Sequence, residues 1–440
     1  MPERFRLERA MVVGGWAANL GLTVEDGTIT ALVADAPPDH GPLLPGLALP
    51  GLPNLHSHTF QRAMAGLTER SGPTADDFWT WRETMYAFLA RLTPEDVEAV
   101  AAMAMTEMLE GGFTALAEFH YLHHAPDGTP YANPAEMAER IAAAAAETGI
   151  GLTLLPTLYA YGGFGDAPPT PGQRRFLNGT DAFLRLHDAS RRTLAALPDA
   201  VLGVAPHSLR AASDAQVAAL LAAIPDGPFH IHVAEQEAEV IACLSEHGRR
   251  PVEHLLAVHP VGPRWTLVHA TRTTGEERRA IAASGATVGL CPITEANLGD
   301  GVFEAVGYDG PWGVGTDSNV EITAPGELRT LEYGQRVTRR GRNLMARGPN
   351  RSTGEDLYAA ALAGGARACG RAVGRVEVGR RADLVWLEPG ADLDDAVFVR
   401  GPRAISRVMV GGRVLVEEGR HVARDRIAAR YARVMARLRA

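Results

Sequence analysis

From residue 47 to about residue 320 the chain repeats one unit, a short apolar run followed by a stretch with helical spacing. The apolar runs are LALPGLPNL, FTALAEF, GLTLLPTLYA, AVLGVAP, FHIHVAE, WTLVHA, ATVGLCP and GPWGVGTD. Between them lie segments such as PEDVEAVAAMAMTEMLEGG, NPAEMAERIAAAAAETG and SDAQVAALLAAIP, with apolar residues at i, i+3 and i+4 and Gly or Pro at their ends. Roughly eight strands, each followed by a helix, predict an α/β fold, a (β/α)8 TIM-type barrel over residues 49–365. A doubly wound open sheet is the alternative. The barrel is preferred because the count fits and because the polar residues fall at the C-terminal ends of the strands, where barrels carry their active sites.

The two ends read differently. Residues 5–47 and 373–417 are Gly-punctuated short strands without a long helix, and VGGRVL is a hairpin signal. Together they predict one small β-sandwich domain formed from both termini, residues 1–48 and 366–440. The last stretch, ARDRIAARYARVMARLRA, is an amphipathic helix whose arginine face is read as solvated rather than membrane-bound.

Composition excludes several function classes. The chain has 440 residues and a net charge of −9, and all 43 basic residues are arginine. No Schiff-base lysine, Walker lysine or carboxylated bridging lysine is possible. No basic face points to nucleic acid, and no apolar run is long enough to span a membrane. The N-terminal segment MPERFRLERAMVVGGWAANL is too charged for a signal peptide. Three distant cysteines, Cys243, Cys291 and Cys369, form no CxxC pair, and a cytoplasmic location is expected.

The chemistry sits at the strand ends. His56 and His58 lie two apart at the end of the first strand, so both project to one face. The fifth gives His230, His232 and Glu235, the sixth His269, and the eighth Asp317. Of the two fifth-strand histidines, His232 is nearer the end and is the candidate ligand; His230 is read as packed below it. Three imidazoles and a carboxylate around an open position make a catalytic site for a divalent metal, which activates water near neutral pH.

This order of HxH, H, H and D resembles the amidohydrolase superfamily. The resemblance implies that His56, His58, His232 and Asp317 hold one divalent metal ion, zinc by preference, and that His269 orients or polarises beside it. The fourth strand carries neither of the residues that bridge two metals in relatives. HxxE from His232 to Glu235 resembles the deaminase branch, in which that glutamate shuttles protons, so Glu235, His269 and Asp317 are the expected catalytic set. Within the superfamily, PNLHSHTFQRAMAGL, FWTWRETMY, AEFHYLHH, APHSLRA, HIHVAEQEAEV and CPITEANLGDG resemble the formimidoylglutamate deiminases of histidine degradation. That implies hydrolysis of N-formimino-L-glutamate to N-formyl-L-glutamate and ammonia, and a homodimer. The alternative is an aminohydrolase of the same superfamily acting on a nucleobase or adenosine-like cyclic amidine.

A dicarboxylate small-molecule substrate calls for guanidinium forks, which bind carboxylates bidentately. Arg82 in FWTWRETMY and Arg210 in APHSLRA are the candidates, with Gln61, Tyr121 and His207 as further strand-end donors. Asn297 and the Trp79–Trp81 pair are expected to shape the pocket. His120, His123 and His124 are read as lying behind the site or on the surface. His40, His187, His247, His254, His259 and His421 receive no functional assignment.

Overall fold

The computed structural model describes residues 2–71, 76–197 and 199–439. Four N-terminal strands, β1 (Glu3–Val12), β2 (Gly15–Glu25), β3 (Thr28–Val33) and β4 (Leu43–Pro50), lead into the barrel. The barrel strands are β5 (Leu52–Ser57), β6 (Phe113–His120), β7 (Gly151–Leu158), β8 (Val201–Leu202), β9 (Ala205–Pro206), β10 (Phe229–Val233), β11 (Trp265–His269), β12 (Thr287–Leu290) and β13 (Trp312–Val314). The chain ends with β14 (Leu384–Leu387), β15 (Ile405–Val410), β16 (Arg413–Glu417), β17 (Arg420–His421) and the helix Arg424–Arg439.

Each apolar run of the sequence supplies a barrel strand; the first is divided between β4 of the terminal sheet and β5 of the barrel, and the fourth is broken into β8 and β9. All barrel pairings are parallel, in the order β5-β6-β7-β8 and β10-β11-β12-β13, with β9 beside β7. Parallel bridges Val204↔Phe229 and Ser208↔His232 join the two arcs, and Ser57↔Asp317 closes the ring. The open-sheet alternative has no such closure. Every residue of β6 and β7 is buried, as expected of strands covered by helices outside and side chains within.

The helices start where the sequence supplies caps. Thr93 with Asp96, Ser213 with Gln216 and Thr274 with Glu277 form reciprocal capping boxes, each satisfying backbone donors that a helix start leaves orphaned.

Both termini build one eight-stranded sheet, β17-β16-β15-β14-β4-β1-β2-β3. Leu7, Leu22, Ile29, Trp386 and Met409 pack into its own hydrophobic core, separate from the barrel's. Helix Thr353–Cys369 runs across residue 366 and lies against β5 and β13. We therefore place the seam between barrel and small domain after Cys369. The terminal helix Arg424–Arg439 packs on helix Pro94–Glu110, with Ile427, Met435 and Leu438 buried. Among the described residues no helix is long and apolar enough to cross a membrane.

Candidate active site

The first and last barrel strands bring the metal-ligand candidates together. Asp317 donates its N–H to the His56 carbonyl (3.0 Å), and His58 donates its N–H to the Asp317 carbonyl (2.9 Å). This approach requires Gly315, because a Cβ there would stand 2.6 Å from the His56 carbonyl oxygen and 2.7 Å from its nitrogen. Around the same rim Ala234, His269, Ala270, Asp317 and Asn319 all take positive φ, between 46° and 68°. Such strained backbone persists only where surrounding contacts enforce it, and it gathers at functional sites.

The ring orientations are set from behind. His58 Nδ1 meets the Phe119 carbonyl at 2.8 Å, and His232 Nδ1 meets the His207 carbonyl at 3.0 Å. A carbonyl only accepts, so both Nδ1 atoms carry the proton and both Nε2 lone pairs face inward. His56 Nε2 lies 3.1 Å from His232 Nε2. Asp317 Oδ1 lies 3.4 Å from His56 Nε2 and 3.3 Å from His58 Nε2. Burial lowers the pKa of all three imidazoles, that of His56 to about 3, so they are neutral, as metal ligands must be. Lone pairs and a carboxylate crowded this closely repel one another unless a cation sits among them. The nitrogen and oxygen donors, all neutral imidazole or carboxylate, suit a divalent transition metal.

His269 stands beside this group, with His56, His232 and Asp317 offering atoms within 4.8 Å of its own. Its Nδ1 is 3.3 Å from Glu295 Oε1, and its Nε2 is 3.7 Å from Glu235 Oε1 and 3.9 Å from Asp317 Oδ2. Burial opposes a charged ring, but Glu235, Glu295 and Asp317 outweigh it and raise the His269 pKa to about 10. Glu235 is also buried, and desolvation raises its carboxyl above the ordinary range although His269 and Arg210 pull the other way. Asp317 is held well below that range: burial alone would raise it, but hydrogen bonding to His56 and the neighbouring histidines prevail.

A cavity of about 540 Å³ opens from this cluster. Gln61, Arg82, Tyr121, His207 and Arg210 all line it together with His58, His232, Glu235, His269 and Asp317. Gln61 Nε2 donates to the Tyr121 hydroxyl at 2.9 Å, and Gln61 Oε1 is buried without a partner. The Nε atoms of Arg82 and Arg210 are likewise buried and unpartnered. The Arg82 guanidinium stacks 4.3 Å from the Trp79 ring centroid, and that of Arg210 lies 6.0 Å from it. Two cations and a metal-ligand cluster thus face one enclosure.

The sequence matches the Amidohydrolase family over residues 47–415. The chain belongs to the amidohydrolase family. It is 48% identical to a formimidoylglutamate deiminase of Pseudomonas aeruginosa, with 98% of each chain covered. It is 29% identical to an 8-oxoguanine deaminase of the same organism, over 91% of this chain and 90% of that one. An amidohydrolase structure from Brucella melitensis superimposes with a TM-score of 0.95 at 46% identity, covering 100% of both chains. A zinc-bound adenosine deaminase structure from Xanthomonas campestris shares the fold, with a TM-score of 0.81 at 20% identity over 99% and 98% of the two chains.

Of the other residues singled out in the sequence, some lie where expected and some do not. Asn297 turns away from the central cavity and donates to Glu69 at 3.0 Å; its neighbour Leu298 lines the cavity. Trp81 lines it, whereas Trp79 backs the arginines. His120, His123 and His124 are buried, not at the surface; His123 and His124 each meet a carbonyl, of Thr157 and Leu177, at 2.9 Å. His230 packs below the site, with Nε2 2.8 Å from the Ala368 carbonyl. His254 and His259 contact the two oxygens of Asp214 at 2.9 and 3.0 Å, and His247 stacks on His254 at 3.9 Å. Asp214, His247 and His254 thus offer ligand atoms within 4.8 Å of one another, away from the central cavity.

Sequence reasoning missed Tyr86, Tyr159 and Phe176, which complete the cavity wall, and Glu295, which backs His269. Tyr86 shares a helix face with Arg82, four residues away, and that i, i+4 spacing was the available signal. Tyr159 directly follows β7, a strand-end position like that of the residues that were read; no local pattern marks Phe176 or Glu295.

Proposed function

We propose that this amidohydrolase hydrolyses the terminal C–N bond of N-formimino-L-glutamate, giving N-formyl-L-glutamate and ammonia. The observation that carries the reading is the placing of Arg82 and Arg210 in the same enclosure as the His/Asp cluster. A dianionic substrate with an amidine head needs both. The 48% identity to a formimidoylglutamate deiminase supports it along the whole chain. A cyclic, uncharged nucleobase brings no carboxylate for the two guanidiniums to pair with.

In this reading His56, His58, His232 and Asp317 hold the metal, and zinc is the metal proposed, as in the zinc-bound neighbour. When bound there, a divalent cation supplies the Lewis acidity that makes water a nucleophile near neutral pH. The chain's own groups manage protons and charge around it. Asp317, kept ionised, accepts a proton from the attacking water. Glu235, its carboxyl pushed up by burial, carries the proton that the departing nitrogen needs as the C–N bond breaks. His269, oriented by Glu295, stabilises negative charge developing beside it. Arg82 and Arg210 each take a carboxylate in a bidentate fork. Because Gln61 donates to the Tyr121 oxygen, the phenolic hydrogen is free for the substrate, with the Met85 sulfur at 3.6 Å as a weak competitor. His207, whose carbonyl anchors His232, closes the side of the cavity. The reading extends to a homodimer in the cytoplasm; three free, buried cysteines suit a reducing compartment.

The test is incubation of zinc-loaded protein with N-formimino-L-glutamate and identification of both products. Ammonia with N-formyl-L-glutamate is expected. Formamide with glutamate would reverse the leaving group, and turnover of a nucleobase instead would move the substrate to the alternative class.

A further inference from the structure

Behind the metal-ligand cluster lies a buried polar network that no ligand assignment uses. Asn319 is fully buried, with φ of +60°. Its Nδ2 lies 3.0 Å from the His58 carbonyl, 2.9 Å from the Asp317 carbonyl and 3.0 Å from Ser57 Oγ. Its Oδ1 lies 2.6 Å from Thr316 Oγ1. Thr316 Oγ1 already receives Asn54 Nδ2 at 2.7 Å, so its own hydrogen goes to Asn319 Oδ1. That fixes the amide: oxygen toward the threonine hydroxyl, nitrogen toward the two carbonyls, which can only accept.

We propose that Asn319 is the positioning residue of the metal cage, one amide holding the backbones of His58 and Asp317 at the separation a shared ion needs. The inference rests on the reading that these two residues are metal ligands. They come from opposite ends of the barrel sequence, just after β5 and just after β13. Backbone hydrogen bonds align the strands up to Asp317, and beyond it the chain leaves the sheet through two left-handed residues, Asp317 and Asn319. Asparagine tolerates that conformation better than most side chains. Its two hydrogens, shared over three acceptors, then tie the departing loop back onto the HxH segment. Asn54 and Thr316 orient the amide, and Ser57 completes the network; none of the four is placed to touch substrate. Outer partners of this kind govern metal affinity without binding the metal, and losing one typically weakens affinity by about 10–100-fold.

The experiment titrates zinc into apo-protein against a chromophoric chelator. Asn319→Gly removes the amide and keeps the left-handed backbone unstrained. Zinc affinity about 10–100-fold weaker than that of the unsubstituted chain is expected, with unchanged far-UV circular dichroism and an unchanged KM at saturating zinc. A merely structural asparagine would lower the thermal midpoint of the apo-protein and leave zinc affinity alone, and that result overturns the proposal. Should Asn319→Gly fail to fold, Thr316→Val removes the hydroxyl that orients the amide; weakened zinc binding supports the proposal and wild-type affinity overturns it. An unsubstituted chain that binds no zinc overturns the ligand reading and this inference with it.

Discussion

Glu235 Oε2 lies 3.5 Å from Arg210 Nη2, on the cavity wall beside His269. One guanidinium therefore faces both the carboxyl proposed to carry the proton and the space proposed for the substrate's carboxylates. Glu235→Gln keeps the shape and the contact but cannot exchange a proton. It should retain its metal and lose about 10²-fold or more in kcat, the usual contribution of general acid–base catalysis. Metal analysis and steady-state kinetics on the same preparation read both quantities. Turnover within a few-fold of the unsubstituted enzyme would remove Glu235 from the proton path.

Arg82, proposed to bind a substrate carboxylate, has its planar guanidinium stacked on Trp79. Lysine keeps the charge and loses both the fork and the stack, so Arg82→Lys is not conservative here. A hydrogen bond to a charged group is worth roughly 1.5–3 kcal/mol, which predicts a KM rise of about 10–100-fold with a smaller change in kcat. An equal fall in kcat at unchanged KM would mean that Arg82 acts on the transition state alone.

Gly315 lets the strand carrying Asp317 lie against His56. In Gly315→Ala the new methyl meets backbone atoms, which cannot rotate aside, so β5 and β13 must part. Overpacking of this kind costs about 1–3 kcal/mol, and here it would also separate the donors of the proposed metal site. The variant should melt lower and hold zinc more weakly, measured by calorimetry and chelator competition. Undiminished zinc affinity would show that the ligand loops adjust independently of the strands.

The parts of this site written in the sequence are those carried by short motifs at strand ends. Period-two spacing puts His56 and His58 on one side, and a buried parallel strand announces itself by an unbroken apolar run, so the barrel and the candidate ligands gathered at its strand ends could be read together. What could not be read depends on rotation or on distant partners. Asn297 and Leu298 are neighbours on a short helix, about 100° apart around its axis, and only Leu298 faces the cavity. Phe176 reaches the wall through a long excursion after β7 (Gly151–Leu158), whose path no local pattern specifies. His120, His123 and His124 look like loop residues because the chain turns polar there, yet β7 and the segment around Arg175 cover them. The boundary expected at residue 366 falls inside helix Thr353–Cys369, whose Ala- and Gly-rich sequence, ALAGGARAC, gives no hint of which domain it packs on.

Away from the metal ligands, His187 provides a pH-dependent component of stability. It is buried on helix Thr180–Leu194 with Nε2 3.2 Å from the Gly203 carbonyl. Burial lowers its pKa to about 4 from an ordinary value of 6.5. In the unfolded chain it binds a proton below pH 6.5, whereas the folded protein does so only near pH 4. Stability present above pH 6.5 is therefore lost as pH falls through that window, and the loss levels off below the folded value. At pH 5 this single residue should account for roughly 2 kcal/mol. His187→Gln offers an N–H that does not titrate. The variant is expected to be somewhat less stable at pH 7.5, yet to lose less on going to pH 5 than the unsubstituted protein. Urea unfolding midpoints of both proteins at the two pH values test this, and the difference of differences removes every other titrating group. Parallel losses in the two proteins would mean that His187 takes up its proton in the folded state as readily as in the unfolded one.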